Sequence, residues 1–331
     1  MVVILANIKD VAKKAGVAIS TASYALNGRT DKVSKDTADK ILKIAKEMNY
    51  SPNAFARGLV KNKSNTIGIF LLNIDKSHPY VMEVLLEIMN ISREKNYDIL
   101  LFSNKSPGDI PYIDKAKKRG VDGLIIFGLE NNDPYIQNIK NTDLPTVIID
   151  KELKGEKITY VESQNRKSAF NAVNYLIKNG YSKIAFIGGR TTAEVNNKRY
   201  CGYIDALEEN DIEINQDLII NCNFKREEAY KKTLKILEKE VDSFFVVTDL
   251  MALGVIDALR EKNINIPEEK AVIGFDDIDL ASNSFPKLTT MAQDKKRIGN
   301  LAVNKLFEIM EKEKNVEPES IKCKLIVRET A

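Results

Sequence analysis

The sequence predicts an all-α helix-turn-helix head joined to a larger α/β region of two doubly wound, parallel-sheet lobes. Three observations carry this reading. Basic charge collects at the N-terminus, two short amphipathic segments flank Gly16, and from Thr66 onward short β-rich runs alternate with helical ones in two successive series.

The head is justified element by element. Asn7 precedes IKDVAKKA and is placed to accept from the backbone amide of Asp10, while Ile8, Val11, Ala12 and Ala15 form one apolar stripe that Gly16 ends. A second short helix is expected from about Ile19 to Asn27, with Ala22, Ala25 and Leu26 inward and Ser20, Thr21, Ser23 and Tyr24 outward or flanking. Ser34 opens a third helix, with Asp36 in its first turn and Ile41, Leu42, Ala45 and Met48 on one face. Residues 1–63 hold twelve Lys and Arg against five Asp and Glu, a net +7, whereas the remainder of the chain is −4. A basic run is often only a solvated face, so charge here supports the motif and does not replace it.

The lobes follow the same logic. TIGIFLL, DILLFS, GLIIFG and TVIID form a first strand series; KIAFIGG, DLIINC, SFFVVT and KAVIGF form a second of similar spacing. YVMEVLLEIMNISREK and SAFNAVNYLIKN carry apolar residues at helical spacing and read as core-facing helices.

The remaining composition excludes several classes. With 44% hydrophobic and 29% charged residues, the 331-residue chain has globular composition, enough for two or three domains. No apolar run approaches the ~20 residues that span a bilayer, and MVVILANIKD lacks the marks of a secretory signal, so a soluble, cytoplasmic protein without membrane contact is expected. Cys201, Cys222 and Cys323 are odd in number and widely separated, which suggests reduced thiols, no metal and no cofactor. His78 is the sole histidine, which leaves no Ser-His-Asp or Cys-His set that does not use it. IGGR at Ile187 to Arg190 lacks dinucleotide and Walker spacing and reads as a structural turn; no enzyme is expected.

The stretch IKDVAKKAGVAISTASYALNG and the following VSKDTADKILKIAKEMNYSPNAFARGLV resemble the DNA-binding head of the lactose-repressor (LacI/GalR) family over about sixty residues. The resemblance implies that the second helix lies in a major groove, with Ile19, Ser20 and Tyr24 nearest base edges and Thr21, Ser23 and Asn27 partly on phosphates. It also implies a hinge helix containing Asn53, with Leu59 as an apolar wedge in the minor groove and Ala56 allowing close packing of two hinge helices. Two positions depart from the family: Ala18 stands where Ser usually caps the recognition helix, and Tyr24 where Arg is common.

From Thr66 to Ala331 the chain resembles the type I periplasmic-binding-protein fold that serves this family as sensor, down to RYCGYIDALEE, TDLMALG and GFDDI. The expected organisation is a head at 1–50, a hinge and linker at 51–64, and an effector-binding and dimerisation region at 65–331. Its lobe 1 spans about 65–162 and 293–322, its lobe 2 about 163–292 and 323–331, with crossovers near Glu162, Ala292 and Lys322. Tyr80, Asp150, Arg199, Phe224, Asp276 and Gln293 are implied around the interlobe cleft, a set suited to a sugar. His78, Lys151 and Thr248 depart from common sugar-binding patterns there. The implied function is sequence-specific regulation, by default repression, by a homodimer on a pseudo-palindromic double-stranded operator, controlled by a small-molecule effector of carbohydrate type. The alternative is a solute-binding protein without a regulatory role, which the basic head opposes.

Overall fold

A computed structural model describes residues 6–29, 31–50, 63–75, 78–102, 110–312 and 315–331. Asn53, Ala56 and Leu59 lie outside the described residues. Two compact units divide the chain, Met1–Ser64 and Asn65–Ala331.

The first unit is built on α1 (Ile8–Ala15), α2 (Ile19–Leu26) and α3 (Lys35–Glu47). A reciprocal capping box starts α1: the Asn7 side chain accepts from the amides of Lys9 and Asp10, and Asp10 accepts from the Asn7 amide at 2.9 Å. Gly16, at φ 72°, closes the same helix in the left-handed conformation that a side chain would strain. Val11, Ala12, Ala15, Ala22, Ala25, Ala38, Ile41 and Ala45 form the miniature core, with Leu26 and Met48 at its margin. Leu42, expected on the buried face, is 47% exposed, because Ala38, Ile41 and Ala45 already fill the side of α3 that meets α1 and α2.

In the second unit β1 (Thr66–Leu71), β2 (Asp98–Phe102), β3 (Gly123–Phe127), β4 (Thr146–Ile149) and β5 (Ile158–Ser163) belong to one sheet. The other holds β6 (Ile184–Gly188), β7 (Ile219–Asn221), β8 (Ser243–Val246), β9 (Ala271–Asp276) and β10 (Thr289–Ala292). The short β11 (Glu319–Ile321) and β12 (Lys324–Ile326) complete the two sheets, one strand each. Their spatial orders are β11-β5-β4-β3-β1-β2 and β12-β10-β9-β8-β6-β7, so both lobes are wound with the same topology. All pairings are parallel except β12 with β10. The series read from sequence omitted β5, β10, β11 and β12. Polar residues interrupt β10 and β11 at Thr289, Thr290, Glu319 and Ser320, β12 pairs antiparallel, and β5 buries Thr159, Glu162 and Ser163 within an otherwise apolar pattern.

The helices that cover the sheets are α4 (Pro79–Glu94), α5 (Tyr112–Lys118), α6 (Ile136–Lys140), α7 (Asn165–Lys178), α8 (Glu194–Glu209), α9 (Arg226–Ile236), α10 (Asp249–Glu261), α11 (Asp279–Asn283) and α12 (Lys295–Lys312). Period-two alternation splits the β1 side chains: Ile67, Ile69 and Leu71 join the core that includes α4 and α12, whereas Phe70 and Leu72 face the core of α5 and α6. Although it follows β10 in sequence, α12 packs on α4, β3, β4 and β5. The chain therefore passes between the lobes three times: after β5, after β10, and between β11 and β12.

Candidate functional site

A cavity of about 640 Å³ lies between the lobes, lined by residues at or just beyond the carboxyl ends of β1, β3, β4, β6, β7, β8 and β9 and by the first turns of α4, α8 and α9. In doubly wound sheets this end collects loops that cannot pair with a strand, so side chains from several strands converge there. Several turns are tight. Asn73, Asp150, Asn223, Phe224 and Asp276 all have positive φ, a costly geometry for non-glycine residues that clusters at functional sites. Gly128, at φ 81°, is demanded by contact as well, since an added Cβ would lie 1.9 Å from the Leu72 carbonyl oxygen.

Of the residues expected in the cleft, His78, Tyr80, Asp150, Arg199, Phe224, Thr248 and Asp276 line the cavity. The Tyr80 hydroxyl donates to Asp150 Oδ2 at 3.0 Å. Arg199 is 3% exposed; its Nε donates to Asn165 Oδ1 at 2.8 Å, its Nη1 donates to the Val247 carbonyl and lies 3.9 Å from Asp276 Oδ1, and its guanidinium stacks on Phe275. Gln293 does not line the cavity: it stands behind Asp276 and donates to its Oδ1 at 2.7 Å. Lys151 is turned away too, donating to Asn131 and to Glu194 at 3.0 Å. The Thr248 hydroxyl caps α10 by accepting from the Met251 amide at 3.3 Å.

The electrostatics follow from burial. Burial lowers the His78 pKa to about 4, with Arg199 adding to the effect and Asp75 opposing it, so the imidazole is neutral near pH 7. Burial raises the carboxyls of Asp150 and Asp276, and Arg199 pulls both back down. Buried His78 Nδ1 and Nε2, Asp150 Oδ1, Asp276 Oδ2 and Gln293 Oε1 have no hydrogen-bond partner, an unusual concentration in one place. Six carboxylates and four cations are among the lining residues.

Sequence reasoning missed Asn73, Asp75, Glu130 and Arg190, all of which line the cavity. Arg190, read as part of a structural turn, donates to Glu130 Oε1 at 2.6 Å and lies over Phe224 at 5.1 Å. The available signal was position, since each of these residues comes within four residues of the end of an apolar strand run. Beside the cleft, carboxylate oxygens of Glu152, Glu162 and Glu194 lie within 4.8 Å of one another. Lys198 supplies the cation there, bonding all three. Burial still raises the Glu162 pKa to about 7 against the opposing pull of Lys198.

In the first unit α2 presents Ile19, 48% exposed, and Tyr24, 40% exposed, together with exposed Ser20. Thr21 and Ser23 are half-buried, and Asn27 caps the end by donating to the Ser23 carbonyl at 2.8 Å. No side chain caps the start of α2 at Ala18, so Ser20 does not take over that role.

Residues 7–53 match the model of bacterial regulatory proteins of the lacI family, and residues 173–331 match the periplasmic binding protein-like domain. The chain is 34% identical over 336 residues to the HTH-type transcriptional repressor PurR of Histophilus somni, covering 98% of this chain and 99% of that protein. It is 33% identical to the HTH-type transcriptional regulator RegA of Clostridium saccharobutylicum, covering 98% of both. Among solved structures, the lac repressor dimer bound to operator and an anti-inducer aligns with a TM-score of 0.86 at 21% identity over 98% of each chain. A LacI family regulator from Enterococcus faecium with bound ribose aligns with a TM-score of 0.71 at 25% identity, over 80% of this chain and 98% of that one.

Proposed function

Because this chain belongs to the lacI family and is a DNA-binding transcriptional regulator, we propose that it represses transcription under the control of a neutral carbohydrate bound between its lobes. In this reading a homodimer places two copies of α2 in successive major grooves of a pseudo-palindromic operator, and residues 51–64 carry the hinge with Asn53, Ala56 and Leu59. Exposed Met82, Leu86 and Met89 along α4 supply an apolar face for the second copy. The effector biases the relation of the lobes, and operator affinity changes by linkage.

The observation that carries the effector reading is the set of unpaired buried polar atoms on His78, Asp150 and Asp276 around one cavity. The two carboxyl oxygens accept when ionised and can donate when protonated, and a neutral imidazole does both, which hydroxyl groups satisfy. Burial already holds Asp150 and Asp276 against ionisation, and a phosphate beside them would add a further anion, which disfavours a phosphorylated ligand. A thermal-shift and calorimetric screen with neutral sugars, sugar phosphates and nucleobases tests it: stabilisation by a neutral sugar is expected, and stabilisation by a nucleobase or phosphate ester alone refutes it. Operator selection from genomic fragments, followed by titration of Leu59→Ala at fixed salt, tests the DNA arm. A marked loss of affinity is expected, and unchanged affinity removes the wedge role.

A further inference from the structure

The three crossovers all lie at one edge of the lobes, beside β5 and β11 in one sheet and β10 and β12 in the other. The strand ends farther across both sheets, those of β1, β3, β6 and β7, are free to separate when the lobes open. Adjacent strands are ~4.8 Å apart, so contacts between these ends act on a long lever arm about the crossover edge.

Those ends are bonded to each other. Arg190, just after β6, donates from Nε to Glu130 Oε1 at 2.6 Å and from Nη2 to the Asn73 carbonyl. The Thr192 hydroxyl donates to Glu130 Oε2 at 2.8 Å, and the Asn131 amide donates to the Thr192 carbonyl at 2.9 Å. Both Glu130 oxygens are thus engaged by the opposite lobe, and the pair is partly sheltered, with Glu130 13% and Arg190 32% exposed in their side chains. Arg190 also faces Phe224, whose ring is held so close to Gly189 that an added Cβ there would lie 2.2 Å from it.

We infer that Glu130 and Arg190 form a latch at the open edge of the cleft that holds the two lobes together. The inference rests on the cleft being the effector site, and it adds the element that resists its opening. Opening of the lobes about the crossover edge therefore has to break the Glu130–Arg190 pair and the Asn131–Thr192 bond.

The Asn131 amide is a direct reporter, because its acceptor belongs to the other lobe. Hydrogen exchange is to be followed in the effector-free full-length protein over residues 128–133 and 189–195. The Leu72 amide, which donates to the Phe127 carbonyl within one lobe, serves as the control. Arg190→Ala and Glu130→Gln are each expected to speed Asn131 exchange by roughly tenfold, the loss of one or two charge-assisted bonds, with the Leu72 amide unchanged. The swapped pair Glu130→Arg with Arg190→Glu is expected to restore protection, which a general loss of folding would not do. Asn131 exchange unaltered by either single variant, or already unprotected in the unmodified protein, overturns the latch. No effector is required, so the result stands apart from the ligand's chemical class.

Discussion

Arg199 opposes the burial that raises the Asp150 and Asp276 carboxyls, while its own charge lies against Asp276, the Phe275 ring and the Val247 carbonyl. Arg199→Ala is expected to abolish the effector response, leave operator binding in place, and lower stability by about 3 kcal/mol, the scale for breaking a buried pair. Calorimetry showing normal effector binding would remove Arg199 from the site. His78 gives a pH signature. Its folded pKa of about 4 lies below the ordinary 6.5, so its contribution to stability is complete above pH 6.5 and is lost as pH falls toward 4. The buried carboxyls with raised pKa, Glu162 among them, act in the opposite sense. The check is therefore a difference: denaturant unfolding of His78→Asn should lose less stability than the unmodified protein between pH 6.5 and 4. At this scale the sequence was partly legible. Seven of the residues that line the cleft were marked by the resemblance to the family's sensor and not by any local pattern. Gln293 shares the same motif neighbourhood, yet its role behind Asp276 depends on how β10 pairs with β9, which no local pattern encodes.

At the scale of elements, two sites tie composition to packing. Gly202 sits inside α8 where an added Cβ would lie 2.0 Å from the Arg166 carbonyl oxygen, so the absent side chain lets α7 and α8 approach. Gly202→Ala, which improves helix propensity in isolation, is expected to destabilise by about 1–3 kcal/mol through overpacking, read as a lowered Tm. Ala18 gives the reverse case. With no side chain capping α2, Ala18→Ser should stabilise the head by about 1 kcal/mol, measurable by urea unfolding with a head-specific probe. Long periodic helices such as α4 and α7 were readable because their apolar residues repeat. Strands β10 and β11 were not, because Thr289, Thr290, Glu319 and Ser320 break any apolar run, and β12 pairs antiparallel outside the parallel series. Leu42 shows the limit of stripe reading: it lies beside Ile41, but only one of the two neighbours can point into a core this small.

For the whole molecule, the head and the two lobes follow from charge distribution and from the two strand series, and family membership agrees with both. Association between copies belongs to this scale. Leu86, 53% exposed on α4, is expected to sit in the self-association surface, and Leu86→Asp should shift sedimentation toward the monomer and weaken operator binding together. A protein that sediments unchanged would assign that face another role. The triple passage between the lobes also bears on synthesis. Lobe 1 obtains five strands by Ser163, yet Ile298, Ala302, Val303, Leu306 and Ile309 of α12, which bury one face of its sheet, are translated some 130 residues later. A ribosome therefore releases most of lobe 2 before the earlier-made lobe is finished, and a nascent chain stalled after β10 would expose to chaperones the part of the sheet that α12 covers.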